Sequence, residues 1–404
     1  MTDFVNTWNN DLLSAPYAPL GLIAMPGCET IAANINEWLM EWYKHQTALD
    51  DTPLYSLKGH NRKDFLIEAN CPRFGTGEGK GMLSSSVRGY DLYIISDMGA
   101  YNVTYNMYGQ QVPMSPDDHF QDLKRIIAAA GGRAKRINVI MPMLYEGRQH
   151  KRTTRESLDC AIALKELENM GISNIITFDA HDPRVQNAIP LIGFDSVIPS
   201  YQILKALFFN VPDLKLNSDN MMIVSPDEGA ISRNIFYSSV LGIDMGLFYK
   251  RRDYTTIVNG RNPIIAHEYL GDNVEGKDIF VSDDILSSGE SILDLAKELK
   301  KRKANRIFAA ATFSLFTNGL DAYEEAYEKG YIHRVISTNL TYTTPELLSK
   351  PWFIQADMSK YISYIIASLN HDRSLSGLLN PYQRIKNLIA RYTSTQAEDG
   401  YRLV

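Results

Sequence analysis

Short apolar runs alternate with amphipathic segments along most of the chain, and this pattern predicts strands and helices in turn. The runs that predict strands cover residues 21–25, 92–96, 137–141, 174–178, 221–224, 278–282, 306–313 and 334–337. The segments with helical spacing cover residues 31–42, 120–130, 157–170, 200–209, 232–240, 292–300 and 358–369. Strands that alternate with helices over this length favour an α/β fold, in which crossover helices join the strands of parallel sheets.

The two halves of the chain share a weak internal similarity. The segment Gly89-Tyr-Asp-Leu-Tyr-Ile-Ile-Ser-Asp97 is similar to Gly276-Lys-Asp-Ile-Phe-Val-Ser-Asp-Asp284, and Arg136 and Arg306 begin similar apolar runs further along. We therefore predict two similar domains, each a mainly parallel sheet flanked by helices. The predicted divisions are an N-terminal extension (1–19), an N-terminal domain (20–195), a C-terminal domain (196–375) and a C-terminal extension (376–404).

Two segments do not follow the alternating pattern. Residues 99–118 hold three tyrosines among Asn, Gln, Gly and Pro, which predicts a long surface loop or an insertion. The tail after about residue 392 has a polar composition and is predicted to be disordered.

Composition and charge narrow the class of protein. The 404 residues carry a net charge of -6, and the pI is about 5.8, which argues against nonspecific binding to nucleic acid. No apolar run approaches the ~20 residues that span a bilayer, so we expect no membrane partner and a cytoplasmic location. The three cysteines, Cys28, Cys71 and Cys160, lack metal-ligand spacing and are typical of thiols in a reducing compartment.

The stretch from Asp278 to Leu293 holds the most informative chemistry. A strand-like run is followed by Asp283 and Asp284, then by the small polar turn Ser287-Ser288-Gly289-Glu290-Ser291, and then by a helical pattern. Backbone N–H groups at such a turn and the positive end of the helix suit a phosphate group. The adjacent carboxylates suit sugar hydroxyls or a hydrated metal ion. We therefore expect a cradle for a ribose 5-phosphate group, with an ordinary Ser-rich helix cap as the alternative.

Four further polar stretches lie at or soon after the ends of predicted strands, where doubly wound sheets hold their ligand sites. Asp227 suits a metal ion or a sugar hydroxyl, or else caps a helix. His181 suits a metal ion or a phosphate oxygen, or else is a hydrogen-bonded core histidine. The runs Tyr249-Lys250-Arg251-Arg252 and Arg148-Gln149-His150-Lys151-Arg152 suit polyanions, although most such runs are solvated surface.

Taken in order and at near-matching spacing, these stretches resemble the ribose-phosphate diphosphokinase (phosphoribosyl pyrophosphate synthetase) family over about residues 20–375. The acidic pair and the turn after it are also similar to the ribose-phosphate loop of the type I phosphoribosyltransferase fold. The segments that resemble the family are Phe74–Glu78 with Ser86–Gly89, Arg148–Gln149, Asp179–His181, Ser225–Asp227, Lys250 with Arg252, Asp283–Ser291 and Thr338–Asn339.

The resemblance implies two phosphoribosyltransferase-like domains, with ATP bound by the first and ribose 5-phosphate by the second. It implies Mg²⁺-dependent transfer of a diphosphoryl group from ATP to C1 of ribose 5-phosphate, giving phosphoribosyl diphosphate and AMP. It also implies a homo-oligomer, because members of the family assemble as hexamers. The implied site residues are Phe74, Thr76, Glu78, Arg148 and Gln149 for ATP; His181 and Asp227 for Mg²⁺; Lys250 and Arg252 for catalysis; and Asp283, Asp284, Ser287, Ser288, Gly289, Glu290 and Ser291 for ribose 5-phosphate.

The sequence departs from the family pattern at several of these positions. The departures are Thr76 in the adenine loop, His150 and Thr153 after the Arg-Gln pair, Ala180, Pro183 and Arg184 in the metal loop, and Ser287 in the ribose-phosphate loop. Two other functions therefore stay open. One is a non-catalytic regulatory relative that binds nucleotide, and the other is a phosphoribosyltransferase that consumes the sugar diphosphate.

Overall fold

The computed structural model describes residues 16–49, 64–252 and 264–402, with side chains described except at 45–49, 250–252, 264–267 and 396–402. The strands are β1 (Leu20–Ala24), β2 (Ala69–Asn70), β3 (Met82–Leu83), β4 (Asp91–Ile95), β5 (Thr104–Met107), β6 (Gln110–Pro113), β7 (Arg136–Ile140), β8 (Asn174–Phe178), β9 (Gly193–Val197), β10 (Met221–Ser225), β11 (Met245–Arg252), β12 (Ile264–Leu270), β13 (Asp278–Leu286), β14 (Ile307–Ser314), β15 (Arg334–Thr338) and β16 (Phe353–Ala356). The helices are α1 (Glu29–Leu49), α2 (Pro116–Ala130), α3 (Asp159–Asn169), α4 (Ser200–Asn210), α5 (Ile231–Leu241), α6 (Glu290–Lys301), α7 (Asp321–Glu328), α8 (Pro345–Leu348), α9 (Ser359–Asn370), α10 (Ser376–Leu379) and α11 (Tyr382–Arg402), with a 3-10 helix at Pro183–Ala188. Among the described residues, no helix combines the length and the apolar character that a bilayer span requires.

The chain forms two compact units that are not contiguous in sequence. Of the described residues, those within 1–198, 340–342 and 357–379 form the first unit, and those within 199–339, 343–356 and 380–404 form the second. The second unit does not coincide with the predicted C-terminal domain. Helix α9 falls within that predicted domain, but it packs on α1 and belongs to the first unit. Asn370 at the end of α9 accepts a hydrogen bond from Tyr43 Oη at 3.0 Å and donates one to Asp91 Oδ2 at 2.9 Å.

The first unit is built on a five-stranded parallel sheet in the order β1-β4-β7-β8-β9. Every residue of β4 is buried, as expected for a central parallel strand that is covered by helices on both faces. The continuous apolar runs of β1, β4, β7 and β8 made these strands predictable. β9 was missed because its sequence, Gly-Phe-Asp-Ser-Val, is short and half polar.

The second unit is built on a seven-stranded sheet in the order β12-β11-β10-β13-β14-β15-β16, which is parallel except for the antiparallel pair β11–β12. Alternate residues of its strands enter two different cores. In β10, Met222 and Val224 pack in one core, and Met221 and Ile223 pack in the other. The prediction of mainly parallel sheets flanked by helices is confirmed for both units.

The internal similarity of the sequence has a counterpart in matched ion pairs. Arg136 at the start of β7 binds Asp91 at the start of β4 through two bonds, Nε–Oδ1 at 2.8 Å and Nη2–Oδ2 at 2.7 Å. In the second unit, Arg306 binds Asp278 at the start of β13 through the same atoms, at 3.1 and 2.6 Å. Each pair ties the beginnings of two neighbouring parallel strands together.

Two predictions of irregular structure are wrong. Within residues 99–118, predicted to be a surface loop or insertion, β5 and β6 form an antiparallel hairpin and α2 begins at Pro116. The tail after residue 392, predicted to be disordered, continues α11 as far as Arg402. The apolar residues of α11 pack against the core of the second unit, and a helix fixed in this way extends at little further cost. Those apolar residues are Ile385, Leu388, Ile389 and Tyr392.

Candidate active site

In the second unit, the acidic pair Asp283 and Asp284 lies inside β13. We predicted that this strand ends at Ser282, but it continues to Leu286, and Asp283 pairs with Ala311 of β14. The prediction of the strand end is wrong because the parallel ladder to β14 carries the strand through the two carboxylates. Both carboxylates therefore stand on a rigid element near the carboxyl end of the sheet, where α/β folds bind their ligands.

Asp283, the first residue of the acidic pair, has a pKa well above the usual value for a carboxyl group. Burial first, and then the neighbouring Asp284 carboxylate, raise the pKa of Asp283 to about 7. The charge of Arg233, whose Nη1 is 3.7 Å from Asp283 Oδ1, opposes this rise in the pKa, and the charge of Asp227 contributes to it. A cation or a hydroxyl donor at this position would favour the ionised pair, so the site is suited to such ligands.

Two residues at the start of α5 support the pair and were not predicted. Arg233 is the cation nearest Asp283 among the ion pairs of the described residues. Asn234 is fully buried and holds the backbone of Ser282, donating from Nδ2 to the carbonyl oxygen at 2.8 Å and accepting from the amide at 3.2 Å. The sequence signal was an Asn on the buried face of an apolar helix, three residues before Tyr237, where an amide requires a partner.

The turn after β13 depends on a glycine. Gly289 has a φ of 82° and directly precedes α6, and a Cβ at this position would lie 2.0 Å from Tyr323 Oη. Both the conformation and the available space therefore require glycine. The carbonyl oxygen of Gly289 accepts bonds from the amides of Ile292 and Leu293 at 3.0 Å each, which begins the helix.

The serine turn makes a hydrogen bond to the segment after β14 and another within itself. Ser287 accepts a bond from the Thr317 amide at 3.0 Å, and Glu290 N lies 3.5 Å from Ser288 Oγ. α6 then packs its apolar face in the core, so its N-terminus stays aligned with the turn. The buried residues of this helix are Ile292, Leu293, Leu295, Ala296 and Leu299.

Asp227 follows β10 and combines a structural contact with an electrostatic one. Its Oδ1 accepts a bond from the Ala230 amide at 3.2 Å, and its carbonyl oxygen accepts a bond from Ser225 Oγ at 2.9 Å. Asp227 therefore closes the turn before α5, whose N-cap residue, Ala230, has no side-chain cap. Its effect on the pKa of Asp283 also brings it into the same acidic group, as expected from neighbouring parallel strands.

The predicted catalytic cations, Lys250 and Arg252, have their backbone in β11, while their side chains lie outside the described residues. β11 runs parallel to β10, with Leu247 opposite Ser225, and Lys250 pairs with His267 of β12. β11 thus continues past the carboxyl end of β10, toward the edge of the sheet at which Asp227 and the acidic pair lie. The polar stretch 253–263 that follows these cations lies outside the described residues.

In the first unit, the predicted adenine loop Phe74–Glu78 is closed by its own hydrogen bonds. The Phe74 amide donates to the Glu78 carbonyl oxygen at 2.7 Å, and Gly77 donates to the Phe74 carbonyl oxygen at 2.9 Å. Thr76 Oγ1 donates to Glu78 Oε2 at 3.0 Å. The ring of Phe74 is 57% exposed, so the loop presents an aromatic surface to solvent.

The Arg148-Gln149 pair lies in the loop between β7 and α3. Arg148 is exposed, as a ligand-binding cation can be. Gln149 Oε1 accepts a bond from the Asp159 amide at 2.9 Å, so its side-chain oxygen caps the start of α3. The amide of Gln149 donates to the Glu146 carbonyl oxygen at 2.8 Å, and Glu146 has a φ of 53°. This part of the loop is therefore held in a defined conformation.

Two residues that depart from the family pattern, His150 and Arg184, contact His181 and its neighbour Asp182. The rings of His150 and His181 lie 5.2 Å apart, and His150 Nε2 is 3.6 Å from Asp182 Oδ2. Arg184 binds both oxygens of Asp182, and its hydrogen bonds hold the pKa of that carboxyl well below its usual range. The segment that follows Arg148 and Gln149 is therefore adjacent to His181 within this unit.

Comparisons with known proteins identify the family. A family model described as the N-terminal domain of ribose phosphate pyrophosphokinase matches residues 60–171, and a phosphoribosyl transferase domain model matches residues 198–340. The ribose-phosphate pyrophosphokinase of Vibrio cholerae is 26% identical over 320 residues, which are 78% of this chain and 92% of that protein. The enzyme of the same name from Mycoplasma genitalium is 26% identical over 276 residues, 68% of this chain and 79% of that protein. The chain belongs to the ribose-phosphate pyrophosphokinase family.

The fold agrees with membership of the ribose-phosphate pyrophosphokinase family. The crystal structure of the phosphoribosylpyrophosphate synthetase from Mycobacterium smegmatis matches with a TM-score of 0.66 and 19% identity, covering 88% of this chain and 99% of that one. The family resemblance read from the sequence is confirmed, and so is the assignment of the chain as an enzyme of this type. The roles of individual residues stay predictions.

The predicted site residues of this ribose-phosphate pyrophosphokinase family member fall into two groups, one in each compact unit. The group in the second unit contains Asp227, the acidic pair and the serine turn. The group in the first unit contains the Phe74–Glu78 loop, and the Arg148-Gln149 pair beside His181. This distribution is the one expected if the first unit binds the nucleotide and the second the sugar phosphate.

Proposed function

We propose that the protein transfers the diphosphoryl group of ATP to the C1 hydroxyl of ribose 5-phosphate in a Mg²⁺-dependent reaction, giving phosphoribosyl diphosphate and AMP. The observation that carries this proposal is the combination, in one unit, of an acidic pair, with Asp284 buried and Asp283 partly buried, and a glycine-dependent turn at the start of α6. The family match supplies the reaction class.

The sugar phosphate would bind at the second unit. The 5-phosphate would take backbone N–H groups at the start of α6 and the hydroxyls of Ser287, Ser288 and Ser291, because a helix N-terminus attracts an anion. The ribose hydroxyls would donate to Asp283 and Asp284. Gly289 would keep the turn close enough for this contact, and Glu290 would lie at the rim of the cradle.

The nucleotide would bind at the first unit. Phe74 would stack against adenine, and the polar side chains of Thr76 and Glu78 would contact the edge of the base. Arg148 would bind phosphate oxygens. Gln149, whose oxygen caps α3, would donate its amide N–H group to the nucleotide.

The side chains of Asp227, Asp283 and Asp284 offer the hard oxygen donors that Mg²⁺ prefers, and His181 offers a donor in the first unit. Among the described residues, no group of three or more His, Cys, Asp or Glu side chains is arranged to hold a metal ion alone. Water and phosphate oxygens would complete the ligand set, as is usual for Mg²⁺. When bound, Mg²⁺ would neutralise charge on the transferred diphosphoryl group.

Lys250 and Arg252 would act on the same diphosphoryl group. As the C1 hydroxyl attacks the β-phosphorus, charge shifts toward the leaving oxygen, and two cations held beside it would stabilise that charge. Orientation and electrostatic stabilisation supply most of the rate enhancement in phosphoryl transfer, so no residue needs to be a strong base.

The deciding assay is the formation of AMP. Protein, ATP, Mg²⁺ and ribose 5-phosphate should yield AMP and phosphoribosyl diphosphate, and omission of ribose 5-phosphate should abolish both products. Lys250→Ala should lower turnover by roughly 10³-fold, while ribose 5-phosphate affinity changes little. Lys297→Ala, which removes an exposed cation on α6, is the matched control and should retain activity. Equal losses of turnover and of sugar phosphate affinity in Lys250→Ala would contradict the assigned role.

The non-catalytic alternative is supported by the altered residues around His181. The ion pair between Asp182 and Arg184 occupies both oxygens of a carboxylate close to His150. A protein of this kind would bind ATP stoichiometrically without forming AMP. A phosphoribosyltransferase would instead release pyrophosphate from phosphoribosyl diphosphate in the presence of a nucleobase. The homo-oligomer and the cytoplasmic location stay predictions.

A further inference from the structure

The hairpin of β5 and β6 lies on the surface of the first unit and presents one face to the predicted adenine loop. None of residues 104–113 is buried, so the hairpin does not contribute to the core. Side chains alternate along each strand, and Tyr105 and Met107 are the half-buried residues of β5, whereas Thr104 and Asn106 are exposed. A two-stranded hairpin is at best marginally stable alone, so its contacts fix its position.

Three contacts join the hairpin to the loop Phe74–Glu78. The amide of Tyr108 donates to the carbonyl oxygen of Gly75 at 2.8 Å. Gly77, which has a φ of 94°, lies under Met107, and a Cβ at Gly77 would be 2.8 Å from Met107 Sδ. Tyr105 Cε2 would be 3.7 Å from the same Cβ. The half-buried face of the hairpin therefore covers the middle of the loop.

The residue before the loop is held between the hairpin and α2. The Arg73 guanidinium lies 4.8 Å from the centre of the Tyr105 ring, and it donates to both oxygens of Asp122 at 2.6 and 2.9 Å. Tyr105 Oη donates to Asp118 Oδ1 at 3.4 Å. The Asp122 side chain is almost completely buried and also binds Arg125 at 2.6 Å, so a buried cluster of charges anchors Arg73 to α2. The hairpin thus contacts both Arg73 and α2, the helix to which Arg73 is bound.

The turn of the hairpin has a backbone that its sequence does not favour. Tyr108 and Gly109 form its two-residue connection, and both have positive φ, 49° and 76°. Turns of this kind favour Asn, Asp or Gly at the first position, and a bulky residue there is uncommon. The conformation is compatible with the bond to Gly75, which positions the tip of the hairpin on the loop.

We propose that the hairpin of β5 and β6 sets the conformation of the Phe74–Glu78 loop for nucleotide binding, with Met107 as the principal positioning residue. This inference rests on the proposed function, in which that loop binds the base of ATP. A loop already held in its binding conformation loses less entropy when the ligand binds, so its affinity is higher. Loss of the contact should weaken ATP binding without affecting the sugar phosphate.

The test compares Met107→Ala with two matched variants in the full-length protein. Met107→Leu retains most of the side-chain volume over Gly77, and Gln111→Ala removes an exposed side chain from the same hairpin. Met107→Ala should raise the Kd and the KM for ATP by roughly threefold to tenfold. It should leave the KM for ribose 5-phosphate and the melting temperature near wild type, while Met107→Leu and Gln111→Ala keep the wild-type affinity for ATP.

Hydrogen exchange supplies a readout that does not require turnover. The amides of residues 73–79 should exchange faster in Met107→Ala than in Gln111→Ala. If Met107→Ala does not fold, residues 104–113 can be replaced by Gly-Gly, because the Met114 amide and the Val103 carbonyl oxygen at the base of the hairpin are already joined at 2.8 Å. That deletion should weaken ATP binding at least as much as Met107→Ala.

The inference would be overturned if the wild type binds ATP and Met107→Ala shows the same ATP affinity and the same hydrogen exchange at residues 73–79. That result would leave the proposed function standing. An equal loss of ATP affinity in Gln111→Ala would also overturn it, because the effect would then not be specific to the face on the loop. A wild-type protein that binds no ATP would overturn the proposed function and this inference together.

Discussion

Gly289→Ala should show that the shape of the turn after β13 affects the use of ribose 5-phosphate beyond any effect on the stability of the fold. Gly289 has a φ of 82°, and a Cβ there would lie 2.0 Å from Tyr323 Oη and 2.5 Å from two carbons of the same ring. A side chain with positive φ costs roughly 1–2 kcal/mol, and an added methyl group in a packed site costs about 1–3 kcal/mol more. The ring of Tyr323 is fully buried and stacked on Trp352, so it cannot move aside easily.

The turn must therefore move, and this motion determines the effect on binding. Ordinary carbon contacts begin near 3.4 Å, so the turn has to shift by about 1 Å away from Tyr323. A misplacement of about 1 Å at a reacting group can lower the rate by about 10²-fold. We expect kcat/KM for ribose 5-phosphate to fall by roughly that factor at saturating ATP, with ATP affinity unchanged.

Gly276→Ala is the matched control for this experiment. Gly276 also has a positive φ, 76°, but no atom lies within 4 Å of the position that its Cβ would take. It should lower the free energy of unfolding by roughly 1 kcal/mol through the backbone alone and leave catalysis intact. The assay is AMP formation at varied ribose 5-phosphate, with thermal unfolding measured in parallel. Similar kcat/KM values for the two variants would refute the argument from the contact with Tyr323.

Two further predictions concern pH. Burial and the neighbouring Asp284 raise the pKa of Asp283 to about 7. The affinity for ribose 5-phosphate, measured without added divalent cation, should therefore fall about tenfold from pH 8 to pH 6. The reason is that a protonated carboxyl group accepts a hydrogen bond from the sugar hydroxyl less well than a carboxylate does. Calorimetric titration of Asp283→Asn should show a smaller dependence on pH, and equal dependence in both proteins would exclude Asp283 as its source. Burial raises the pKa of Asp97 from 3.8 to about 6, so the folded state retains a proton that the unfolded state releases, and the free energy of unfolding falls as the pH rises through this range. Chemical unfolding should show that the wild type loses about 1 kcal/mol more than Asp97→Asn between pH 5 and pH 7.5, and the same loss in both would contradict the assignment.

Much of the fold was predictable because its strands are short apolar runs buried on both faces. The strand β4 is buried at every residue and was recognised from composition alone. β9 and the hairpin were missed because their residues are polar or half exposed, so no apolar period marks them. The end of β13 was misplaced for a related reason. Two carboxylates are typical of a loop, yet pairing with β14 continues through both of them.

Candidate site residues could be predicted where they belong to a local sequence motif. They could not be predicted where their role depends on contacts with a segment distant in sequence. The serine turn, Asp227 and the Arg148-Gln149 pair could be named as candidates because each lies at or soon after the end of a predicted strand. Arg233 and Asn234 were not found, because their role depends on the strand that α5 packs against. The pairing of Asp182 with Arg184 was equally hidden, since the sequence marks Arg184 only as a departure from the family pattern.

The two similar segments, residues 89–97 and 276–284, use the aspartate at their last position in different ways. Asp97 and Asp284 occupy equivalent places, nine residues into the similar segments, and both are buried. In the first unit, Asp97 accepts hydrogen bonds from the Gly99 amide at 2.8 Å, from Thr341 Oγ1 at 3.0 Å and from the Tyr342 amide at 3.1 Å, so it fastens the backbone. In the second unit, Asp283 precedes Asp284 where the first unit has a serine, and burial together with the neighbouring Asp284 raises the pKa of Asp283 to about 7. The added acidic residue is therefore one difference that distinguishes the second unit at the position where the proposed function places the ribose.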